Sequence, residues 1–226
     1  MKNSKSSLRQ VITEIRFDPI FKFNKDRIDL CEKFLKDLPH WNLDMSTVSM
    51  YDHINLEDSR KIFTIMNHRA SFDYKNCVYF NKFKLLVSSL LKEVVGHLEI
   101  NILSRHGIRF FYLHKIKSNF AEFFDKVLVK LFNEKFFSGL NVNNDIEDFA
   151  YKINFKKDDI LFTLNLSHIR TTRGDIVKVE DLGKFMLIDL DCFVQNISSK
   201  QIENFISTSY KASQDLLGKI TRYIGG

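Results

Sequence analysis

The chain has 226 residues, 44% hydrophobic and 27% charged, with a net charge of +6. That is enough chain and enough apolar surface for a core without disulfides or structural metal, and it excludes a disordered or low-complexity protein. The absence of any run of about 20 apolar residues excludes a spanning helix read from sequence.

The first residues, MKNSKSSLRQ, are basic, but no apolar stretch follows them. They do not read as a signal peptide, and a cytoplasmic protein with no membrane contact is expected. Val11–Phe17 alternates, with Ile15 and Phe17 on one face and Glu14, Arg16 and Asp18 on the other, which predicts a half-buried strand ended by Asp18-Pro19. From Asp26 to Leu38, the residues Ile28, Cys31, Phe34, Leu35 and Leu38 recur at helical spacing. Asp26 is the expected cap, and Pro39 ends the helix. Ser46–Ile54 and Lys61–Tyr74 predict two strands around a polar turn at Glu57-Asp58-Ser59. Ile62, Thr64 and Met66 share a face in the second.

Asn81 is the expected cap of a second helix that carries Phe83, Leu86, Val87, Leu90, Val94 and His97 on one side. Glu99–Ile116 predicts a strand interrupted by Gly107. Asn119 opens a third predicted helix, with the stripe Phe120, Phe123, Phe124, Val127, Leu128, Leu131 and Phe132. After a polar loop at Asn141–Asp148, strands are predicted at Ala150–Phe155, Ile160–Ile169 and Phe185–Gln195. Ser198 or Ser199 caps a fourth helix, which buries Ile202, Phe205, Ile206, Leu216, Leu217 and Ile220.

TEIRFDPIFKF near the start and HGIRFFYLHKI in the middle begin alike. Ile15 and Ile108 stand 93 positions apart, and each predicted helix opens eleven positions after its isoleucine. The expected fold is therefore α+β in one domain, residues 1–226. A duplicated β-α-β-β-α unit, with halves 10–100 and 101–222, would form a largely antiparallel sheet with four helices on one face.

The charge is uneven. Residues 1–113 hold 18 basic and 13 acidic residues, and 114–226 hold 16 and 15. Acids are interleaved throughout, so this is a mild attraction to acidic partners rather than a nucleic-acid-binding stripe. Cys31, Cys77 and Cys192 are odd in number and far apart, which excludes a disulfide framework or a zinc motif and predicts buried thiols. Most of the 22 phenylalanines fall at core positions, Phe136-Phe137 being the exception.

Arg16 and Arg109 point away from the Ile/Phe faces of their strands. Together they can hold a phosphate or carboxylate; the plainer alternative is pairing with a neighbouring acid such as Glu14. In LIDLDCF, Asp189 and Asp191 share a strand face. Such a pair can bind a divalent cation, but no third carboxylate or phosphate loop accompanies it, and a polar sheet face is the simpler reading. His53, His68 and His168 lie in predicted strands and could converge in space, but none has metal-ligand spacing. No catalytic residues, no metal and no cofactor are expected.

EIRFDP, RHGIRFFY and LIDLDCF, in that order, resemble a sporadically distributed prokaryotic family of proteins of about this length. That family has an E-I-R-F-like first strand and an R-x-G-x-R-like central strand. Glu14, Arg16, Phe17, Arg105, Gly107 and Arg109 match it; Tyr112 stands where the family closes its central motif with Asn. The resemblance brings no activity. Sporadic distribution implies mobile genes, often those of toxin–antitoxin or anti-phage systems. The expected function is thus a non-enzymatic protein-interaction module, antitoxin-like or a defence accessory subunit, that binds a protein partner or a second copy. The alternative is a nucleic-acid-binding sheet face. A third possibility is a small-ligand or metal-binding protein using Asp189, Asp191 and Arg109. The candidate ligand-binding residues are Arg16, Arg105, Arg109, Asp189 and Asp191.

Overall fold

A computed structural model describes residues 6–20, 23–48, 51–77, 79–116, 150–169 and 184–225. Nine strands form one antiparallel sheet. They are β1 (Ser6–Arg16), β2 (Asn42–Val48), β3 (Tyr51–Asp58), β4 (Lys61–Met66), β5 (Arg69–Lys75), β6 (Ile102–Lys115), β7 (Ala150–Lys157), β8 (Ile160–His168) and β9 (Phe185–Ser198). Their order across the sheet is β2-β3-β4-β5-β1-β6-β9-β8-β7. Three helices are described: α1 (Phe23–Asp37), α2 (Phe80–His97) and α3 (Ile202–Gly225), the last preceded by a 3-10 turn at Ser199–Gln201.

The α+β class and the large antiparallel sheet match the expectation. The count of elements does not. Lys61–Tyr74 is a hairpin rather than one strand, because the chain turns at Asn67-His68. The region Asn42–Asp58 likewise forms a second hairpin. Residues 10–100 therefore run strand, helix, four strands, helix. The predicted helix from Asn119 and the Phe136-Phe137 pair lie outside the described residues.

The three helices cover one face. Phe34 of α1 meets Phe63 edge-on at 5.5 Å, Phe83 of α2 meets Phe72 at 5.8 Å, and Phe205 of α3 lies 4.4 Å from the His106 ring. Phe80 of α2 stacks on Tyr210 of α3 at 3.6 Å. Each fully buried phenylalanine contributes roughly 2–3 kcal/mol of apolar transfer, so the aromatic richness is spent on the core. The three cysteines are buried there as thiols outside any disulfide, and burial pushes the Cys31 thiol up to about 11 and Cys77 up to about 12.

The caps and one helix face need correction. α1 starts at Phe23, so Asp26 sits in its first turn, where a carboxylate suits the helix dipole. α2 has Tyr79, not Asn81, at its N-cap, with no side-chain cap. Ser198 does cap the 3-10 turn, accepting a hydrogen bond from Lys200 N. Ile28 and Leu35, expected in the core, are exposed, while Phe23, Leu30, Cys31 and Phe34 supply the buried face of α1. Among the described helices none is long and apolar enough to cross a membrane.

Candidate functional site: the charged ladder on the outer sheet face

β1 and β6 lie side by side at the centre of the sheet, with Arg16 opposite Arg105, Glu14 opposite Gly107 and Ile12 opposite Arg109. β9 follows on the other side of β6, placing Asp191 opposite Arg109 and Asp189 opposite Phe111. Strand alternation sends all of these side chains to the face away from the helices. The structure thus brings together all five predicted residues, Arg16, Arg105, Arg109, Asp189 and Asp191.

They are engaged with one another. Arg109 donates from Nε and Nη2 to the two oxygens of Asp189, at 2.7 and 2.5 Å, in a bidentate pair. Asn165 of β8 donates to the same carboxylate at 3.5 Å. Arg105 donates from Nη2 to Asp191 at 3.2 Å and from Nη1 to Glu14 at 3.4 Å. Arg16 donates to Glu14 at 2.6 Å, and Arg69 of β5 reaches the other Glu14 oxygen at 3.6 Å. Four guanidinium groups therefore face three carboxylates across four neighbouring strands.

The pairing is layered. In two pairs the carboxylate sits low, Asp189 at 6% exposure under Arg109 at 40% and Glu14 at 19% under Arg16 at 50%, whereas Arg105 and Asp191 lie level at 22% and 26%. What solvent meets is mainly arginine. Burial lifts the Asp191 carboxyl above the usual range; Arg105 and Arg109 hold it partly down, while Asp189 and Glu14 act with burial. Arg109 is held charged more firmly than usual, chiefly by its hydrogen bond to Asp189.

Two aromatic rings shelve the arginines. The Arg105 guanidinium carbon lies 4.6 Å from the Phe193 ring centre and that of Arg109 lies 4.9 Å from Phe111. Gly107 makes room: a Cβ there would stand 3.0 Å from Arg105 Nη1 and 3.1 Å from its Cζ. The glycine between the two arginines of RHGIR is thus where the Arg105 head folds back over its own strand. Phe111 also joins Leu113, Ile169 and Leu187 in a second small core on this outer face.

For Arg16 the plainer sequence reading, pairing with Glu14, is the one observed. A cation held by Asp189 and Asp191 would compete with Arg109 and Arg105 for their oxygens. The three histidines do not converge. β3, which carries His53, and β8, which carries His168, stand six places apart in the sheet, about 29 Å at the usual strand spacing. His68 is in the β4–β5 turn beside Asn67. Sequence reasoning missed Arg69, hidden in a strand read as continuous, and the ring shelves Phe111 and Phe193.

The helix face of the same strands carries a buried histidine. Thr13 donates its hydroxyl to the Gly107 carbonyl at 2.9 Å, so at 3.2 Å its oxygen accepts from His106 Nε2–H. His106 Nδ1 then holds the lone pair, without a partner among the described residues. Burial, with the nearby Arg105 charge, pushes His106 down to about 3, so it is neutral at pH 7.

Compared with known families and with curated proteins, the chain matches no family model and no curated sequence.

Proposed function

We propose that this protein is a non-enzymatic interaction module whose outer sheet face docks onto an acidic surface of a partner protein. The observation that carries this reading is the ladder in which Arg16, Arg69 and Arg109 stand outermost over Glu14 and Asp189, with aromatic shelves under Arg105 and Arg109. Guanidinium groups already held in place lose little side-chain entropy on binding, and arginine with aromatic neighbours is the composition of interface hot spots. The shared arginines, and the place of β1 and β6 side by side at the centre of the sheet, support reading residues 10–100 and 101–222 as a duplicated unit, although the first half has four strands between its helices where the second has three described strands after β6. The antitoxin-like or defence-accessory setting rests on the family resemblance alone.

A second reading, nucleic-acid binding through the same face, draws on a sequence pI near 9.1. Glu14, Asp189 and Asp191 oppose it, because they already occupy the four guanidinium groups that a phosphate row would need.

The test is co-expression with the neighbouring genes, then purification, mass spectrometry and an ultraviolet absorbance ratio. A stoichiometric protein partner, lost on Arg16→Glu with Arg69→Glu, is the expected result. A nucleic-acid-rich complex whose affinity falls steeply with salt would replace this reading with the second. A partner that survives the double reversal would move the docking surface elsewhere.

A further inference from the structure

A cleft of about 700 Å³ lies away from the ladder, between the start of α3, the end of β9 and the β7–β8 turn. That volume falls within the roughly 300–1,000 Å³ of ligand sites. The 3-10 turn contributes Gln201 and α3 contributes Asn204 and Thr208 as one wall, and β9 contributes Asn196 as the other, while Gln195, matched with Arg105, belongs to the outer sheet face. Consecutive residues of β9 line it, which regular alternation does not allow. They do so because β9 runs on beyond the Leu161–Phe193 match with β8, and Asn196 in this stretch has a φ of 52°, in the left-handed region. Phe205 and Val194 form an apolar floor.

The chemistry of the walls is narrow. Three carboxamides, those of Asn196, Gln201 and Asn204, line the cleft, and among the described residues their side chains make no hydrogen bond. A carboxamide offers donor and acceptor side by side, the same pair a peptide unit presents. At the β7–β8 end, Lys156 lies 3.8 Å from Asp159, and Asp158 has no ionic partner among the described residues. The cleft is thus mildly acidic, the reverse of the outer sheet face, and disfavours phosphates. Phe205 is only 4% exposed, so it presents no open ring for a sugar to stack on. From Gln201 to Thr208 the α3 wall rises about 10 Å, the length of about three extended residues.

We propose that this cleft binds an extended peptide segment of about three residues, its main chain held by the carboxamides and a lysine or arginine side chain meeting Asp158. The site is separate from the arginine ladder and does not depend on it.

The experiment is a nuclear magnetic resonance titration of the isotope-labelled full chain with acetylated, amidated Lys-Ala-Ala-Ala and Glu-Ala-Ala-Ala, and with maltose. The lysine peptide is expected to shift the Gln201 and Asn204 side-chain amides and to bind at least about tenfold more tightly than the glutamate peptide. Asp158→Asn reduces that preference to below about threefold. Asn204→Leu weakens both peptides about tenfold with an unchanged melting temperature, since Asn204 is exposed. Arg16→Glu leaves binding intact. Absence of saturable peptide shifts, equal affinity for both peptides, or shifts with maltose alone would each overturn the proposal.

Discussion

Strands β1 and β6 show two faces that handle charge in opposite ways. On the helix face, water is excluded and burial pushes both histidines of β6, His106 and His114, toward the neutral form. On the outer face, a few ångströms away through the same backbone, Arg16, Arg105 and Arg109 stay charged by pairing with carboxylates. A step of one residue along the strand, from Arg105 to His106, thus passes between two dielectric regimes. One face removes the charge, and the other keeps it and supplies a counter-charge.

The largest expected effect tests the dry face. His106 has its folded value below its unfolded one, so the unfolded chain binds the extra proton between about pH 6.5 and 3. This contribution is fully present above pH 6.5 and is lost as pH falls toward 3. Between pH 6.5 and 4 the loss amounts to as much as about 3 kcal/mol. Urea unfolding across that range should show a slope that flattens in His106→Phe. An identical slope in both proteins would mean that His106 is hydrated and that the two faces do not differ.

Next comes the deepest pair on the wet face. Arg109→Met strands the Asp189 carboxylate at 6% exposure. The expected cost is about 2 kcal/mol in the urea midpoint, below that of a fully dry pair because the arginine side is open to water. Arg109→Met with Asp189→Leu should recover most of it, since the stranded charge is then gone. A single-mutant loss under about 0.5 kcal/mol would show that water reaches Asp189.

The smallest effect completes the contrast. Arg16→Met removes a half-exposed partner from Glu14, which Arg69 and Arg105 still contact. Stability should change by about 0.5 kcal/mol or less, while partner docking should weaken. Thermal melting alongside the co-purification assay separates these two outcomes.

The face on which each charge lies was legible in the sequence, because strand alternation is a local rule. It put Arg16, Arg109, Asp189 and Asp191 on the correct side. Which arginine meets which acid was not legible. Arg109 and Asp189 are 80 positions apart, and their encounter depends on β9 docking beside β6 in one register. Turns failed where they lacked glycine or proline: at Asn67-His68 the only sign is a change of phase in the buried set, from Phe63 and Ile65 to Ala70 and Phe72. In α1, Ile28 and Leu35 fit the helical spacing, but a helix laid on a sheet buries a narrower stripe than the spacing permits. Asp26 and Asn81 resembled caps because they are good capping residues, yet apolar residues before them already extended each helix.

The placement of β1 sets an order of events for the growing chain. β1 is made first but lies between β5 and β6, and Gln10 is matched with Lys75. The five strands β1–β5 have their mutual partners once residue 75 has left the ribosome. β6 then offers one edge to β1 at once, while its other edge waits for β9, as far on as the match of Ile102 with Ser198. Until then the strand bearing Arg105 and Arg109 is an open edge on a nascent sheet, with its arginines in place before Asp189 and Asp191 are synthesised. Such an edge exposes the chain to mispairing, and during that interval the two guanidinium groups lack the β9 carboxylates and are available to other acidic groups.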